Sequence, residues 1–467
     1  MKIMRWLSPT AAVLLAGMTM PAIAVDNDGL MPLGTTTVQP IGAVPGGTLV
    51  LPMSSLPKPA GEVRTHLQFV IPDTPLAAPF DCHAGSCETP ASLACVYLLP
   101  PYTSRTSGCD PNIVTTPASG GSKAIGFVDA FHNKSVLADL KAFSTIFGLP
   151  APSLKIIKCT DNSTGHGTCS ANNPAPPACQ DSNQCGWAIE ASLDVQAAHA
   201  MAPNAKLILV EAYSDSYGDM LLAETAAGTA VAAAGGGEVS NSWGGPEFSG
   251  QQAWNSYFVN PKVVFLASTG DHKNNSNPPW SADVNFPSTS PNVIGVGGTK
   301  VVRNSSYAFS SETPWDNSNG GGGGGLSTIE PTPAFQTIVG TTKLHGHRGA
   351  PDISADADPA TGMIVRLSTT CCGVPTGYYI LGGTSLTSPL MAGMINAAGH
   401  FLTSTATSSG TEQALLYGEI GNATVLNDVK TGTCHNGGNP TNGTSTNAKA
   451  GWDVCTGVGT PHGLGGL

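Results

Sequence analysis

Short apolar runs alternate with longer segments of helical periodicity along most of the chain beyond residue 79. The runs that we predict as buried strands are Ala124–Asp129, Lys206–Glu211, Glu238–Ser242, Val263–Ser268 and Asn292–Val296. The segments that we predict as helices between them include Ser135–Phe147 and Met220–Ala234. Strands that alternate with helices predict a parallel sheet covered by helices on both faces. We therefore expect an α/β fold built around one such sheet.

A further helical pattern runs from Trp187 to Pro203, with apolar residues at helical spacing and alanine between them. It carries Glu190 and Asp194, which are four positions apart and therefore project from one face. Most acidic pairs at this spacing lie on solvated faces. Here the neighbours are apolar and only 11% of all residues are charged, against a typical share of about 25%. The pattern thus favours a buried site over a solvated face.

The first residues have the features of a secretory signal peptide. Lys2 and Arg5 precede an apolar run that ends in the A-x-A pattern at Ala24. The run is shorter than the roughly 20 apolar residues that a membrane-spanning helix needs. We expect residues 1–24 to be removed and the protein to be extracellular.

Residues 25–78 are rich in Pro, Gly and Thr, and they contain one strand-like run at His66–Ile71. We interpret them as an extended leader to a main domain that spans residues 79–467. The net charge of −11 argues against nucleic acid or an anionic membrane as a partner.

The twelve cysteines are even in number, and export favours disulfides over metal thiolates. Sequence spacing makes local pairing plausible, although it cannot prove the connectivity. The pairs we expect are Cys82–Cys87, Cys95–Cys109, Cys159–Cys169, Cys179–Cys185 and Cys434–Cys455. The adjacent Cys371 and Cys372 could bridge each other or find other partners.

Ser385 stands out as a candidate nucleophile in the stretch GGTSLTSP, and a serine hydroxyl needs a neighbouring base. One candidate base is His166 in TGHGT, which with Asp129 imitates the order of a subtilisin triad. The residues after His166 are interrupted by proline and do not form the expected helix. A surface loop is the better interpretation of this stretch. The other candidate base is Glu190.

Several motifs, taken in chain order, resemble the sedolisin (serine-carboxyl peptidase) family, whose members are relatives of subtilisin. These motifs are GFVDAF, EASLDVQAAHAMAPNAKLILVEA, SNSWGGPE, LASTGD, GGTSLTSP, VLNDV and GWDVCTGVGTP. The resemblance covers about residue 79 to the C-terminus. It implies a subtilisin-like parallel sheet flanked by helices in a single large catalytic domain.

The resemblance also implies roles for individual residues. Ser385 would be the nucleophile, Glu190 its general base, and Asp194 a support that shares a proton or hydrogen bond with Glu190. Asp271, kept protonated, would donate to the oxyanion. A carboxylate base, with a pKa near 4 when unperturbed, suits catalysis in acid.

Two further sites follow from the same resemblance. Ser242, Trp243 and Gly244 would form a strand edge to which a peptide substrate adds. Asp428 and Asp453, with carbonyls of Val429, Lys449 and Gly451, would hold one structural Ca²⁺, which binds oxygen ligands. Lys449 stands where the family usually has glycine.

Two features leave questions open. The glycine run Gly320–Gly325 is either a flexible linker or a segment of the cleft. The segment between Ala24 and residue 79 is too short for the large prodomain that the resemblance implies.

Our leading hypothesis is a secreted, monomeric endopeptidase that acts on proteins or peptides in acid. The alternatives are a neutral subtilisin-type protease that uses His166, and a non-catalytic exported relative that binds peptides.

Overall fold

The computed structural model describes residues 38–78, 80–85, 87–272, 284–368, 374–399, 408–434 and 447–467 of the 467-residue chain. The predicted signal peptide, Cys371 and Cys372 lie outside these ranges. Within them the helices are α1 Cys82–Gly85, α2 Pro90–Val96, α3 Val136–Ile146, α4 Ser182–Met201, α5 Tyr217–Ala233, α6 Thr341–Leu344, α7 Thr384–Ala398 and α8 Ser409–Gly418. Short 3₁₀ turns lie at Met53–Ser55, Gln251–Phe258 and Ala334–Val339.

The strands of the described residues fall into two halves of the chain. The first half contains β1 Val38–Val44, β2 Gly47–Pro52, β3 Arg64–Thr65, β4 Gln68–Pro72, β5 Ala124–Ala130, β6 Ser153–Cys159, β7 Cys169–Ser170, β8 Lys206–Ala212, β9 Gly237–Asn241, β10 Trp243–Pro246, β11 Val263–Ser268 and β12 Asp271–His272. The second half contains β13 Asn285–Phe286, β14 Ile294–Arg303, β15 Phe309–Pro314, β16 Asp316–Asn317, β17 Gly320–Gly322, β18 Gly325–Pro331, β19 His347–Ala350, β20 Ile353–Asp356, β21 Met363–Leu367, β22 Gly377–Gly382, β23 Leu426–Asn427 and β24 Thr460–Pro461.

A nine-stranded sheet forms the centre of the molecule, in the order β15-β14-β11-β9-β5-β8-β6-β7, with β20 also paired to β14. The strands from β6 to β14 and β20 run parallel, and the short edges β7 and β15 are antiparallel. The predicted α/β class with a parallel sheet is thus confirmed. Most of these strands begin or end a few residues away from the predicted positions.

Both faces of this sheet are covered by helices. Along β5, Ile125 and Phe127 belong to one buried cluster with residues of α4 and α7, whereas Ala124 and Val128 belong to another with residues of α5. Successive side chains of a strand point to opposite faces, so the two clusters lie on opposite sides of the sheet. Burial on both faces explains why these strands are continuous apolar runs in the sequence.

The two longest helices, α4 and α5, begin at polar side chains that cap them. The Asp181 carboxylate accepts a hydrogen bond from the Gln184 N–H (2.8 Å), and α4 therefore starts before the apolar pattern at Trp187. Ser216 caps α5 by accepting from the Asp219 N–H, so α5 starts before Met220.

A second sheet joins the N-terminal part of the chain to its last third, in the order β1-β2-β4-β22-β21. Strand β4 pairs antiparallel with β22, which leads directly into α7. The strands before residue 79 therefore contact the segment that carries Ser385. The domain boundary at residue 79 stays a prediction.

The disulfides agree with the expected local pairing. Bonds join Cys82 to Cys87, Cys95 to Cys109, Cys159 to Cys169, and Cys434 to Cys455. Cys179 and Cys185 are also disulfide-bonded. Within the described part of the chain, no helix has the length and apolar character to cross a membrane.

Candidate active site

Ser385 lies in the first turn of α7 and is fully buried. Its Oγ donates a hydrogen bond to Glu190 Oε2 at 2.9 Å, and the Ser242 carbonyl oxygen is 3.2 Å from the same Oγ. The turn before it needs a glycine, because Gly383 has φ of 89° and a Cβ there would stand 2.1 Å from the His66 carbonyl oxygen. Glu190 is thus within reach of the proton it would have to take.

The close approach of α4 to α7 brings Glu190 to this serine. At Gly393 on α7, a Cβ would meet the Ala198 carbonyl oxygen of α4 at 2.8 Å, so a small residue is needed there. Glu190 and Asp194 are both fully buried on the α4 face that points at Ser385 and Ser242. The sequence prediction that this acidic pair is not a solvated face is therefore consistent with the geometry.

Ser242 links the carboxyl of Asp194 to Ser385. Its Oγ donates to Asp194 Oδ1 at 2.7 Å and also lies 3.1 Å from the Ser385 carbonyl oxygen. The Ser242 hydroxyl therefore lies between Asp194 and Ser385. Asp194 is on the same side of Ser385 as Glu190.

Burial raises the pKa of Glu190 well above its ordinary value, and the carboxyls of Asp194, Asp129 and Asp271 raise it further. The hydrogen bond from Ser385 acts in the opposite direction, because it stabilises the ionised form. Burial likewise raises the pKa of Asp194, and that of Asp129, where the neighbouring Asp194 adds to the effect. This cluster therefore holds protons to a higher pH than isolated carboxyls would.

Asp271 follows β11 and lies beside the start of α7. Its Oδ1 accepts hydrogen bonds from the Thr384 N–H at 2.8 Å and from the Thr384 hydroxyl at 2.9 Å. Burial raises the pKa of Asp271 to about 7, although the Thr384 bonds and Arg64 favour its ionised form. Its Oδ2 is buried and has no hydrogen-bond partner among the described residues. A protonated Oδ2 could donate to a developing oxyanion.

The glycine run is packed against the Asp271 segment. Strand β17, Gly320–Gly322, pairs antiparallel with Asp271–His272, and the whole run from Gly320 to Gly325 is buried. The Gly323 N–H donates to the Gly270 carbonyl at 2.6 Å. Of the two interpretations left open by the sequence, the structure favours a segment of the cleft over a flexible linker.

The segment predicted to bind substrate runs into β10, which is the middle strand of a small sheet in the order β13-β10-β3. In β10, Trp243 pairs antiparallel with Thr65 and Gly244 pairs with Arg64. The Trp243 side chain is fully buried in the core, so the edge offers main-chain groups rather than this ring.

Sequence reasoning missed His66, which lies against Ser385. The His66 N–H donates to Ser385 Oγ at 3.0 Å, and the Ser385 N–H donates to the His66 carbonyl oxygen at 3.0 Å. The imidazole Nδ1 is 2.7 Å from Ser268 Oγ. The only signal in the sequence was the strand-like run His66–Ile71, which carries no hint of this contact.

The alternative base His166 is exposed, in the loop between β6 and β7 that the Cys159–Cys169 disulfide closes. Asp129 is fully buried, and its two carboxylate oxygens have no hydrogen-bond partner among the described residues. The geometry therefore does not join Asp129 and His166 as a pair.

The predicted calcium residues form one local cluster near the C-terminus. The Gly451 N–H donates to Asp428 Oδ2 at 2.9 Å, and the Lys449 N–H donates to Asp453 Oδ2 at 2.7 Å. Asp428 Oδ1 is buried with no hydrogen-bond partner among the described residues, and Val429 beside it is buried. A spare buried carboxylate oxygen fits a hard cation such as Ca²⁺.

The sequence pattern of the Subtilase family matches residues 158–400, more than half of the chain. The chain belongs to the subtilase family. This subtilase is 32% identical over 290 residues to kumamolisin from Bacillus sp. (strain MN-32), covering 59% of this chain and 49% of kumamolisin. It is 35% identical over 213 residues to sedolisin from Pseudomonas sp. (strain 101), covering 42% of this chain and 33% of sedolisin. The expected membership of the sedolisin family is thereby confirmed.

The chain spans about half the length of kumamolisin and a third of the length of sedolisin. Its fold is similar to that of Pseudomonas sedolisin solved in complex with two molecules of pseudo-iodotyrostatin. That comparison has a TM-score of 0.59 at 24% identity and covers 81% of this chain and 96% of the other. The expected subtilisin-like fold is confirmed.

Proposed function

We propose that this subtilase is a secreted serine-type endopeptidase that hydrolyses proteins or peptides in acid, acting as a monomer. The observation that carries the proposal is the 2.9 Å hydrogen bond from Ser385 Oγ to Glu190 Oε2 inside a buried cluster of carboxyls. The names of the relatives kumamolisin and sedolisin support the same chemistry.

The reaction begins when Ser385 Oγ attacks the carbonyl carbon of the scissile bond while Glu190, in the ionised form that the hydrogen bond from Ser385 favours, takes the hydroxyl proton. The Oγ–C bond forms, and the carbonyl oxygen becomes an oxyanion. Glu190 then gives the proton to the leaving amine as the C–N bond breaks. Water hydrolyses the acyl-enzyme by the same steps in reverse order, and Ser385 is restored.

Two groups stabilise the oxyanion. The Ser385 N–H already donates to a carbonyl oxygen, that of His66, at 3.0 Å. Asp271 supplies the second donor when it is protonated, which its raised pKa of about 7 allows throughout the acid range. Asp194 positions Glu190 through the electrostatic interaction between the two carboxyls. It also acts through Ser242, which contacts both Asp194 and Ser385.

Peptide substrates would add to the edge at Ser242, Trp243 and Gly244 as an antiparallel strand, since β10 already pairs in this way with Arg64–Thr65.

One Ca²⁺ would be held by Asp428 and Asp453, with carbonyls of Val429, Lys449 and Gly451. It would tie the segment before Lys430 to the C-terminal turn, which supports the structure rather than the chemistry.

The test is hydrolysis of casein and of a short peptide between about pH 3 and about pH 8. We expect acid activity that is lost in Ser385→Ala and falls by at least a factor of about 100 in Glu190→Gln. His166→Ala is the matched control and keeps full activity. Activity confined to neutral pH and abolished by His166→Ala would instead support a subtilisin-type triad. Inactivity of a folded wild-type chain at every pH would favour a peptide-binding protein.

A further inference from the structure

Glu247 comes directly after strand β10, and its carboxylate connects this strand to β18. Its Oε1 accepts a hydrogen bond from the Ser327 hydroxyl. Its Oε2 accepts from the Thr328 N–H at 2.7 Å and from the Thr328 hydroxyl at 3.0 Å. Strand β10 belongs to the sheet β13-β10-β3, whereas β18 pairs with β19. The side chain of Glu247 therefore joins two separate sheets.

The Ser327 hydroxyl can only donate to this carboxylate. Ser327 is fully buried, and its Oγ accepts hydrogen bonds from the Ile329 N–H at 3.0 Å and from the Glu330 N–H at 2.7 Å. A hydroxyl has two acceptor lone pairs and one proton. Because both lone pairs are used, the proton points to Glu247, which must accept it.

Gln251 presents a second fixed donor to Glu247. This fully buried side chain accepts from the Phe248 N–H through its Oε1 at 3.1 Å, which sets the orientation of its amide. Its Nε2 then donates to Glu247 Oε1 at 3.1 Å and to Glu330 Oε1 at 3.2 Å. Both oxygens of Glu247 thus face N–H or O–H donors, and the ionised carboxylate is the form that accepts from all of them.

The backbone on either side of Glu247 is also held in place. Pro246 pairs with Asn285 in β13. The ring of Phe248 packs edge-on against Trp254, with the ring centroids 4.7 Å apart. A displacement of the Glu247 carboxylate would therefore displace β10 with it.

The two strands that Glu247 joins lead to the two sides of the candidate active site. Strand β10 continues from Ser242, where peptide substrates would add. Strand β18 continues from the glycine run, in which the Gly323 carbonyl accepts from the Thr269 hydroxyl at 2.8 Å. Thr269 is two residues before Asp271. Glu247 therefore links the substrate strand to the segment that carries the proposed oxyanion donor.

We propose that Glu247 is a positioning residue for peptide substrates. Through Ser327 and Thr328 it fixes β10 relative to β18, at the place from which a bound peptide reaches Asp271. A peptide that pairs with β10 depends on this alignment. A small ester, which has no strand to pair and needs only Ser385 and its neighbours, does not. The inference rests on the proposed function, because it assumes that peptides add at β10.

The substitution Glu247→Gln tests this role with a side chain of the same shape. An NH₂ group at the place of Oε1 would face the Ser327 hydroxyl and Gln251, and one at the place of Oε2 would face the Thr328 N–H. Two donors oppose each other in either case, so the connection to β18 is broken.

The measurement compares two substrates at about pH 4. For an octapeptide, we expect Glu247→Gln to raise KM about tenfold with little change in kcat. The acyl group of p-nitrophenyl acetate is too short to pair with β10, so its hydrolysis should stay unchanged.

Two other variants separate positioning from stability. Ser327→Ala removes one donor and should raise the peptide KM by a smaller factor, again without a change in ester hydrolysis. Because Glu247→Gln and Ser327→Ala break the same contact, their combined effect on the logarithm of KM should be smaller than the sum of the two. Glu419→Gln is the matched control, since this carboxylate accepts from the Asn422 amide after α8, and it should change neither activity.

The outcomes distinguish this inference from the proposed function. A folded Gln variant with the wild-type KM for the peptide overturns the inference and leaves the proposed function standing. Equal losses toward peptide and ester also overturn it, because a general loss of active enzyme lowers both rates alike. If Glu247→Gln does not fold, as judged by circular dichroism, Ser327→Ala is held to the same criteria. A folded wild type that hydrolyses neither substrate overturns the proposed function, and the inference with it.

Discussion

The substitution Asp271→Asn tests the oxyanion proposal and the electrostatics of the site together. Asn keeps an oxygen at the position of Oδ1, which accepts from the Thr384 N–H and hydroxyl. It also places an NH₂ group where Oδ2 lies, so a donor is present at every pH. Unlike Asp271, it cannot ionise.

The effect on stability follows from the pKa of Asp271, which burial raises from 3.8 to about 7. Below the unfolded value both states are protonated and the group contributes nothing. Between the two values the unfolded chain ionises while the folded chain does not, so stability falls as the pH rises. Above about 7 the loss is complete, at about 4 kcal/mol for a shift of about three units. Asn removes this loss.

We therefore expect Asp271→Asn to match the wild type in urea unfolding near pH 3 and to exceed it by up to about 4 kcal/mol above pH 7. In peptide hydrolysis, the wild type should lose kcat/KM as Asp271 ionises near pH 7, and the Asn variant should lack that step. Asp271→Ala, which has no donor, should lose about 100-fold to 1000-fold in kcat at all pH values.

Two results would refute this reasoning. One is an Asn variant that is no more stable than the wild type at neutral pH. The other is a folded Ala variant that retains most of the acid activity, since Asp271 would then not act on the oxyanion. Circular dichroism at each pH separates loss of activity from unfolding.

Three further predictions concern the rest of the fold. Burial raises the pKa of Glu224 to about 8. In urea unfolding, Glu224→Gln should therefore stabilise the protein by about 3 kcal/mol near pH 7 and by nothing near pH 4. Equal gains in stability at both pH values would contradict this. Removal of calcium by a chelator should lower Tm in differential scanning calorimetry, and Asp428→Asn should abolish the response; an unchanged Tm in the wild type would count against the calcium site. Gly237 has φ of 146°, and a Cβ there would stand 1.8 Å from the Ala124 carbonyl oxygen. Gly237→Ala should therefore lower the free energy of unfolding by about 3 kcal/mol, seen as a lower urea midpoint. Gly410→Ala, with open space around the glycine, should lower it little.

The sequence predicts the central sheet well because its signal is local. Val263–Ser268 is a strand over the predicted residues, and the alanine-rich pattern that begins at Trp187 lies within α4. Both faces of these elements are buried, which leaves apolar runs that can be recognised without knowing their neighbours.

The contacts between His66 and Ser385 could not be predicted in this way. They join residues 319 positions apart, and they are made largely by main-chain atoms, which every residue has. Arg64–Thr65 is a strand of two residues, too short for any periodicity to appear. The composition of residues 25–78 therefore indicated an extended leader, while the pairing of that leader with β10 depends on a strand far along the chain.

Asp129 shows a different limit. The motif around it indicated a strand end correctly, and its order along the chain imitated a triad with His166. In the structure, burial raises the pKa of Asp129, and the neighbouring carboxyl of Asp194 raises it further. Only the packing of α4 on β5 reveals that proximity.

Ser385, the proposed nucleophile, lies late in the chain, and this has a consequence for biosynthesis. Synthesis proceeds from the N-terminus, so the segment Arg64–His66 and the helix that bears Glu190 exist well before Ser385. The strand that leads to the serine, β22, must pair with β4 across most of the chain length. An incomplete chain therefore lacks the proposed nucleophile, and His66, which contacts it, is already present when Ser385 is made.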